Sequence, residues 1–261
     1  MANVDQGWVL FDLKSRQFGL PIRNLLQMVV LKDVVKMAGA PPDVRGVINL
    51  RGAVIPVVDL RMRLGLTGMC EEWNRVFAMM EERKQDHVRW ISALEESVAD
   101  GREFTSARDP HQCAFGKWYD SFKTDNNILS LHLEKFDAPH KKIHALADKV
   151  SALMTEGRAG EAAALILTTR NKELAELIHL FDETREVVCD TVNEIVMVMQ
   201  QHGAKMGVIV DSVSEVKDID PDSVENPLDG ESIAHSSFIK GVAQMEDGTK
   251  ILLDQDLLLG A

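Results

Sequence analysis

Three histidines and one cysteine near the centre of the chain are of the residue types that build a metal centre. Residues 109–118 (Asp-Pro-His-Gln-Cys-Ala-Phe-Gly-Lys-Trp) hold the thiol of Cys113 in a turn-like setting, with Gly116 and Trp118 close behind. Residues 139–144 (Pro-His-Lys-Lys-Ile-His) set His140 and His144 four residues apart, which on a helix puts both on one face, one turn apart. His87, within Gln-Asp-His-Val-Arg-Trp at 85–90, adds a third imidazole. Three imidazoles and a thiolate complete a tetrahedral set for Zn2+. His111, two residues before Cys113, is a competing candidate. Read from the residues alone, a zinc site and ordinary helix histidines stand on even terms. What favours zinc is that imidazoles on an apolar stripe are costly to bury without partners.

Such a zinc would not be catalytic by pattern. A catalytic site keeps one coordination position open and places a base nearby, as in His-Glu-x-x-His. Here Lys141 follows His140, and four protein ligands would close the sphere. No phosphate loop and no Gly-x-Ser-x-Gly motif occurs either, so no enzymatic activity is expected. A closed set could staple the fold by binding metal only in the native state. It could also sense, because a zinc-bound thiolate stays nucleophilic and oxidation weakens its bond. Both readings stay open at this level.

The elements that must position these groups are helices. Met80, His87, Ile91, Leu94 and Val98 follow an amphipathic stripe, broken at Gly101 and again over 106–110. A second stripe runs through Phe136, His140, Ile143, Ala147, Val150 and Met154 to Gly157, and a third through Leu174, Leu177, Ile178, Phe181 and Val188. Helices of this length with short breaks predict an antiparallel bundle. On either side the pattern is that of strands. Apolar runs at 8–13, 18–22, 27–31 and 54–58 are punctuated by 39–43, Gly46, Arg51 and Gly52. Runs at 194–199, 205–211, 238–242 and 250–254 follow the helices, bounded by Gly203, Pro221, Pro227, Gly230 and Gly248. One β unit interrupted by a bundle is simpler than two separate small β domains, since a helical array can replace a surface loop at modest entropic cost. The expected organisation is 1–69 and 193–261 for the β unit and 70–192 for the inserted bundle, an α+β chain.

Composition sets the remaining bounds. With 29 basic and 41 acidic residues, the net charge of −12 argues against nucleic acid or an anionic membrane surface as partner. No run of 18 apolar residues is present, so membrane insertion is not expected. The first residues lack a basic and an apolar region, so secretion is not expected and a cytoplasmic location is. Cys70, Cys113 and Cys189 are too widely spaced for a disulfide framework, and Cys70 and Cys189 read as ordinary small residues. His132, His179, His202 and His235 have no partners in spacing and read as surface or structural.

The outer segments resemble the chemotaxis coupling-protein family, the CheW-like domain. The residues that carry the resemblance are 18–22 (Phe-Gly-Leu-Pro-Ile), 46–61 (Gly-Val-Ile-Asn-Leu-Arg-Gly-Ala-Val-Ile-Pro-Val-Val-Asp-Leu-Arg) and 206–216, with Gly241 and 251–254. The resemblance implies a pair of five-stranded β-barrels and a role bridging chemoreceptors to the histidine kinase CheA. It places Arg51 at the family's receptor-contact arginine and Leu25 at an apolar receptor-facing position. Gln27 stands where the family commonly has Glu, a departure that removes a charge from that contact. The middle segment resembles the chemoreceptor zinc-binding domain, whose pattern is a His near a Trp, then Cys-x-x-Gly-x-Trp, then His-x-x-x-His. His87 with Trp90, Cys113 with Gly116 and Trp118, and His140 with His144 fill it. This resemblance implies Zn2+ on His87, Cys113, His140 and His144, with Cys113 as the redox-active position in responses to zinc or hypochlorous acid. It also implies a homodimer through the bundle.

Overall fold

The computed structural model describes residues 7–225 and 236–259; Pro227, Gly230 and His235 lie outside them. These residues form two compact units, one ending at Glu72 and resuming at Asn193, the other running from Trp73 to Val192. The order along the chain is β1 (Gly7–Leu13), β2 (Arg16–Pro21), β3 (Leu25–Val30), β4 (Val44–Leu50), β5 (Ala53–Asp59), α1 (Leu60–Arg63) and α2 (Met69–Ala99). Then come α3 (Ala114–Ser121), α4 (Asn127–Glu134), α5 (Asp137–Thr155), α6 (Ala159–Thr169) and α7 (Ala175–Thr191). The chain continues through β6 (Ile195–Gln201), β7 (Ala204–Val210), β8 (Ser212–Asp218), β9 (Val224–Glu225), β10 (Ile239–Met245), β11 (Gly248–Leu253) and α8 (Gln255–Leu259).

The strands pair into two mixed sheets, ordered β8-β1-β2-β11-β10-β9 and β3-β6-β7-β5-β4. Each sheet takes strands from both sides of the helical segment. Val57 of β5 lies opposite Gly207 of β7, and Phe18 of β2 lies opposite Ile251 of β11, both in parallel pairs. Neither β segment completes a sheet without the other, which is the physical sense of one interrupted unit. The α+β class holds, but the expectation of two five-stranded barrels is corrected: among the described residues the sheets have six and five strands, and their ladders are open. The nearest approach to closure is an isolated bridge between Val35 and Val47, made by two hydrogen bonds of 2.9 Å. Gly46 admits it, because a Cβ there would lie 2.2 Å from the carbonyl oxygen of Val35. Asp33, at φ 48°, breaks the extended run between β3 and that bridge.

Strand β6 shows why the pattern works. Val196 and Val198 face a core with Ile48, Ile55, Val57 and Ile209, while Met197 and Met199 face a second core with Val9, Phe11, Leu13 and Val208. Two-residue turns at Lys14 and Ser15, Arg51 and Gly52, and His202 and Gly203 have positive φ at both positions, matching the twist of the hairpins they close.

Where β5 ends and β6 begins, two arginines gather carboxylates within the β unit. Arg45 donates to Asp59 and Glu194, both at 2.8 Å. Arg61 is bidentate to Asp211 at 2.6 and 2.5 Å and donates to Glu72, in the first turn of α2, at 2.6 Å. Burial pushes the Glu194 carboxyl above its ordinary range despite Arg45. For Glu72 burial acts in the same direction, but Arg61 outweighs it and holds the carboxyl low.

In the helical unit the three predicted stripes run along α2, α5 and α7, starting one residue early at Phe136 and Leu174, and are buried save for half-buried Val98, Met154 and Ile178. Ile91, Leu94, Phe136, Ile143, Ala147, Val150, Leu177, Phe181 and Val188 share one core. The three stripes do not extend to α3, α4 and α6, yet Phe115, Trp118, Tyr119 and Phe122, which run along α3 and just past it, lie at helical spacing and pack on the same core. Helix α4 starts at a cap, the side chain of Asn126 accepting from the Leu129 N–H at 3.0 Å. It carries His132, buried, with Nε2 3.2 Å from the Leu180 carbonyl and 3.0 Å from the Thr184 hydroxyl. That histidine is structural, whereas His179 is exposed beside Glu183 and His202 sits in a hairpin turn. Among the described residues no helix is long and apolar enough to cross a membrane.

Candidate metal centre

Helix α2 carries His87 on its buried stripe, at 3% exposure. Its Nδ1 lies 2.7 Å from the Arg83 carbonyl, so Nδ1 bears the proton and Nε2 keeps the lone pair. Helix α5 buries His140 and His144, at 5% and 1% exposure, with ring centroids 4.8 Å apart. Cys113 is the N-cap of α3, in extended backbone, with Sγ accepting from the Gly116 N–H at 3.1 Å. A sulfur at a helix N-terminus sits where negative charge is favoured. The Cys-x-x-Gly spacing has a steric cause as well. A Cβ on Gly116 would lie 1.9 Å from the carbonyl oxygen of Pro110, which in turn accepts from the Cys113 thiol at 3.3 Å.

The tertiary fold brings the four predicted ligands together. One ligand atom from each of His87, Cys113, His140 and His144 can be chosen so that all lie within 4.8 Å of one another. Buried polar atoms in a folded protein have partners, and each exception requires a reason. Nε2 of His87 and both ring nitrogens of His144 have none that meets hydrogen-bond geometry. A cation at the centre would supply that reason, and the borderline-soft donor set of imidazole and thiolate suits Zn2+.

The electrostatics fit the same ion. Burial, then repulsion from His87, His144, His111 and Lys141, lowers the pKa of His140 to about 3. Burial and His87 lower that of His144 to about 4, with the Ala107 and Arg108 backbone pulling weakly the other way. Burial lowers His87 also. All three rings are therefore neutral at pH 7, as a metal ligand must be. Burial pushes the Cys113 thiol up, opposed by the N–H groups of Gly116 and Phe115. A divalent cation would reverse that balance and favour the thiolate.

Aromatic rings pack around the three imidazoles, and the sequence had marked only part of that shell. Phe115 meets His87 and His140 edge-on at 5.9 and 5.1 Å, and Trp90 lies 5.2 Å from His144. The Trp90 indole N–H donates to the Ala107 carbonyl at 2.9 Å, tying the 100–113 connection to α2. The Arg83 carbonyl and Phe115 were missed because their roles depend on neighbours distant in sequence. His111 is outside the cluster and pairs with Asp120.

The expected partner-binding residues lie in the β unit. Arg51, at φ 54°, is exposed at the tip of the β4–β5 hairpin, where the Asn49 side chain accepts from the Gly52 N–H at 2.9 Å. Leu25 and Gln27 are half-buried on β3, at the other edge of the paired order, and alternate with exposed Leu26, Met28 and Val30.

Comparison with known proteins bears on both units. The chain matches the family model described as CheW-like domain over residues 7–96 and 170–261. It matches the one described as chemoreceptor zinc-binding domain over residues 87–151, a range that holds all four cluster residues. The chemotaxis protein CheW of Klebsiella aerogenes is 29% identical over 77 residues, 30% of this chain and 46% of that protein. That of Helicobacter pylori is 30% identical over 90 residues, 34% of this chain and 53% of that protein. The matches thus span about half the length of these curated relatives. The solved structure of the scaffolding protein TtCheW from Thermoanaerobacter tengcongensis superposes with a TM-score of 0.46 at 17% identity, covering 97% of this chain and 87% of that one.

Proposed function

This chain belongs to the CheW-like family and carries a chemoreceptor zinc-binding domain between its two matched stretches, and on that premise we propose that it couples chemoreceptors to the CheA kinase under control of the Cys113 cluster. The observation that carries the reading is the cluster itself: four donors within 4.8 Å, with buried imidazole nitrogens that have no partner in hydrogen-bond geometry among the described residues. His87, Cys113, His140 and His144 would hold Zn2+, which when bound supplies the charge that keeps Cys113 a thiolate. A thiolate attacks hypochlorous acid, taking the oxygen as a sulfenic acid while chloride leaves. The sulfenic acid is a poorer zinc donor, and Cys113 also caps α3, so its oxidation acts on the start of that helix. Because the helical segment is spliced between β5 and β6, a change in its packing is felt at both strand ends.

In this role the β unit, in the cytoplasm, meets the receptor through Arg51 at the hairpin tip and Leu25 and Gln27 on β3, and it also meets the kinase. Ile128 and Leu131 on α4, at 59% and 60% exposure, give the helical unit an apolar surface for pairing with a second copy. Sedimentation of the Ile128→Ser variant against wild type tests that pairing.

The deciding experiment is CheA autophosphorylation in a reconstituted receptor–kinase complex, with the protein zinc-loaded, zinc-stripped or treated with hypochlorous acid. Kinase output that changes with zinc or oxidant, and no longer does so in Cys113→Ser, supports the reading. Unchanged output from an assembled complex reduces the zinc to a staple of the fold.

A further inference from the structure

Arg45 is not placed by the regular alternation of β4. Along the β4–β5 ladder Val44 lies opposite Val58 and Gly46 opposite Val57, so Arg45 is the extra residue of a β-bulge. Gly46, at φ 140°, supplies the backbone conformation that follows it. A bulge re-aims the side chain it carries, and this one swings a guanidinium to the place where the helical segment leaves and rejoins the sheet. There it meets three stretches of chain, all within the β unit. Nη1 donates to Asp59, at the end of β5, at 2.8 Å. Nη2 donates to the sulfur of Cys70, in the first turn of α2, at 3.1 Å. Both nitrogens also donate to Glu194, just before β6, at 3.3 and 2.8 Å. One planar fork thus ties the outgoing chain to the returning chain.

The tie is of a kind that holds or breaks. The side chains of Asp59 and Glu194 are 1% and 12% exposed, and that of Arg45 is 20% exposed. A carboxylate drawn away from its guanidinium here loses the pairing without regaining full hydration. A shift of either attachment point therefore carries Arg45 with it or strands a buried charge. Arg45 in turn belongs to the hairpin whose tip is Arg51. Arg45 and Asp59 stand at the base of that hairpin, one on each strand. Strand β4 is last in its sheet order, paired with β5 and, at Val47, with the isolated bridge from Val35. At about 3.4 Å per residue it spans roughly 20 Å from Arg45 to Arg51. With β5 as its one strand partner, the hairpin takes its set from its base.

We propose that Arg45 is the positioning residue through which the zinc state of the helical segment sets the β4–β5 hairpin, and with it Arg51. This rests on the reading above, in which zinc or oxidant alters the helical segment and Arg51 meets the receptor, and it names the group that joins the two. Arg45 acts through Asp59, Cys70 and Glu194 and is itself neither a zinc donor nor a receptor contact.

The test is backbone hydrogen exchange of the full chain, read by mass spectrometry over residues 46–56, with the protein zinc-loaded and then stripped by chelator. The quantity read is the ratio of the two exchange rates. A merely structural role for Arg45 changes both rates together and leaves their ratio alone. In wild type, stripping speeds exchange about fivefold, the low end of coupling between linked sites. In Arg45→Lys, which keeps the charge but not the fork, the ratio falls below about twofold while zinc uptake is unchanged. Glu194→Gln keeps an acceptor for Arg45 without the buried charge; it lowers the ratio likewise and serves as the folded variant if Arg45→Lys does not fold. A ratio of one in wild-type protein that gains and loses zinc overturns the proposal. So does a ratio kept at its wild-type value in the variants, which reduces Arg45 to a staple of the sheet. Wild-type protein that takes up no stoichiometric zinc overturns the zinc reading itself, and the proposal with it.

Discussion

The sulfur of Cys113 lies 3.2 Å from Nε2 of His140, a residue 27 positions further along the chain. One group caps a helix and the other projects from the middle of a different helix, so neither owes its place to local sequence alone. Both are pressed toward a point that His87 and His144 also face. In the absence of an ion this is a thiol beside a neutral imidazole. With one, both groups would be donors to it.

Elemental analysis is expected to find one zinc per chain, with Cys113→Ser and His140→Ala each losing it. Because the ion binds the folded helical unit only, free zinc at one hundred times the dissociation constant stabilises it by about 2.7 kcal/mol. Calorimetry with and without chelator reads this as a drop in melting temperature on stripping. No drop would mean the metal is not coupled to the fold.

Gly116→Ala should disable the site without touching a ligand. Its Cβ would meet the Pro110 carbonyl oxygen at 1.9 Å, and backbone on both sides must move to relieve it. The expected cost is about 1–3 kcal/mol of stability, as for other overpacked positions. Zinc affinity should fall as the Cys113 turn shifts. Full retention of affinity in this variant would show that the turn tolerates displacement.

Arg45→Ala leaves Asp59, at 1% side-chain exposure, and Glu194 without the guanidinium that faces both. Removing one partner of a buried ion group costs about 3–5 kcal/mol. A urea titration of the β unit is expected to show a loss of that size, and a loss under about 1 kcal/mol, the scale of a surface pair, would contradict it.

His132 gives the helical unit a pH dependence. Burial lowers its pKa from an ordinary value of 6.5. Below that value the unfolded chain takes up a proton that the folded chain refuses, so stability is full above it and declines as pH falls. The slope from this residue is at most about 1.4 kcal/mol per pH unit. In saturating zinc, the melting temperature of wild type should drop more between pH 7.5 and 6 than that of His132→Gln. Equal drops would remove His132 as the cause.

The sequence by itself determined the period of its elements and the chemistry of the site. Strand alternation at 54–58, helical stripes through His87, His140 and Phe181, and the spacings Cys-x-x-Gly and His-x-x-x-His all follow from local geometry, which a side chain obeys wherever its element packs. Tertiary structure decided what local rules do not reach. In the five-stranded sheet Asp33 interrupts the extended chain before the Val35–Val47 bridge, and Gly46 admits that bridge where the chain returns to it. Helices α3, α4 and α6 are short, and each is held by the shared core on which its apolar side chains pack. The tautomer of His87 is set by the Arg83 carbonyl, its apolar cover by Phe115, and the pairing of His111 with Asp120 by the path of one turn. Each of these depends on groups meeting in space, and on the neighbours that then shut water out.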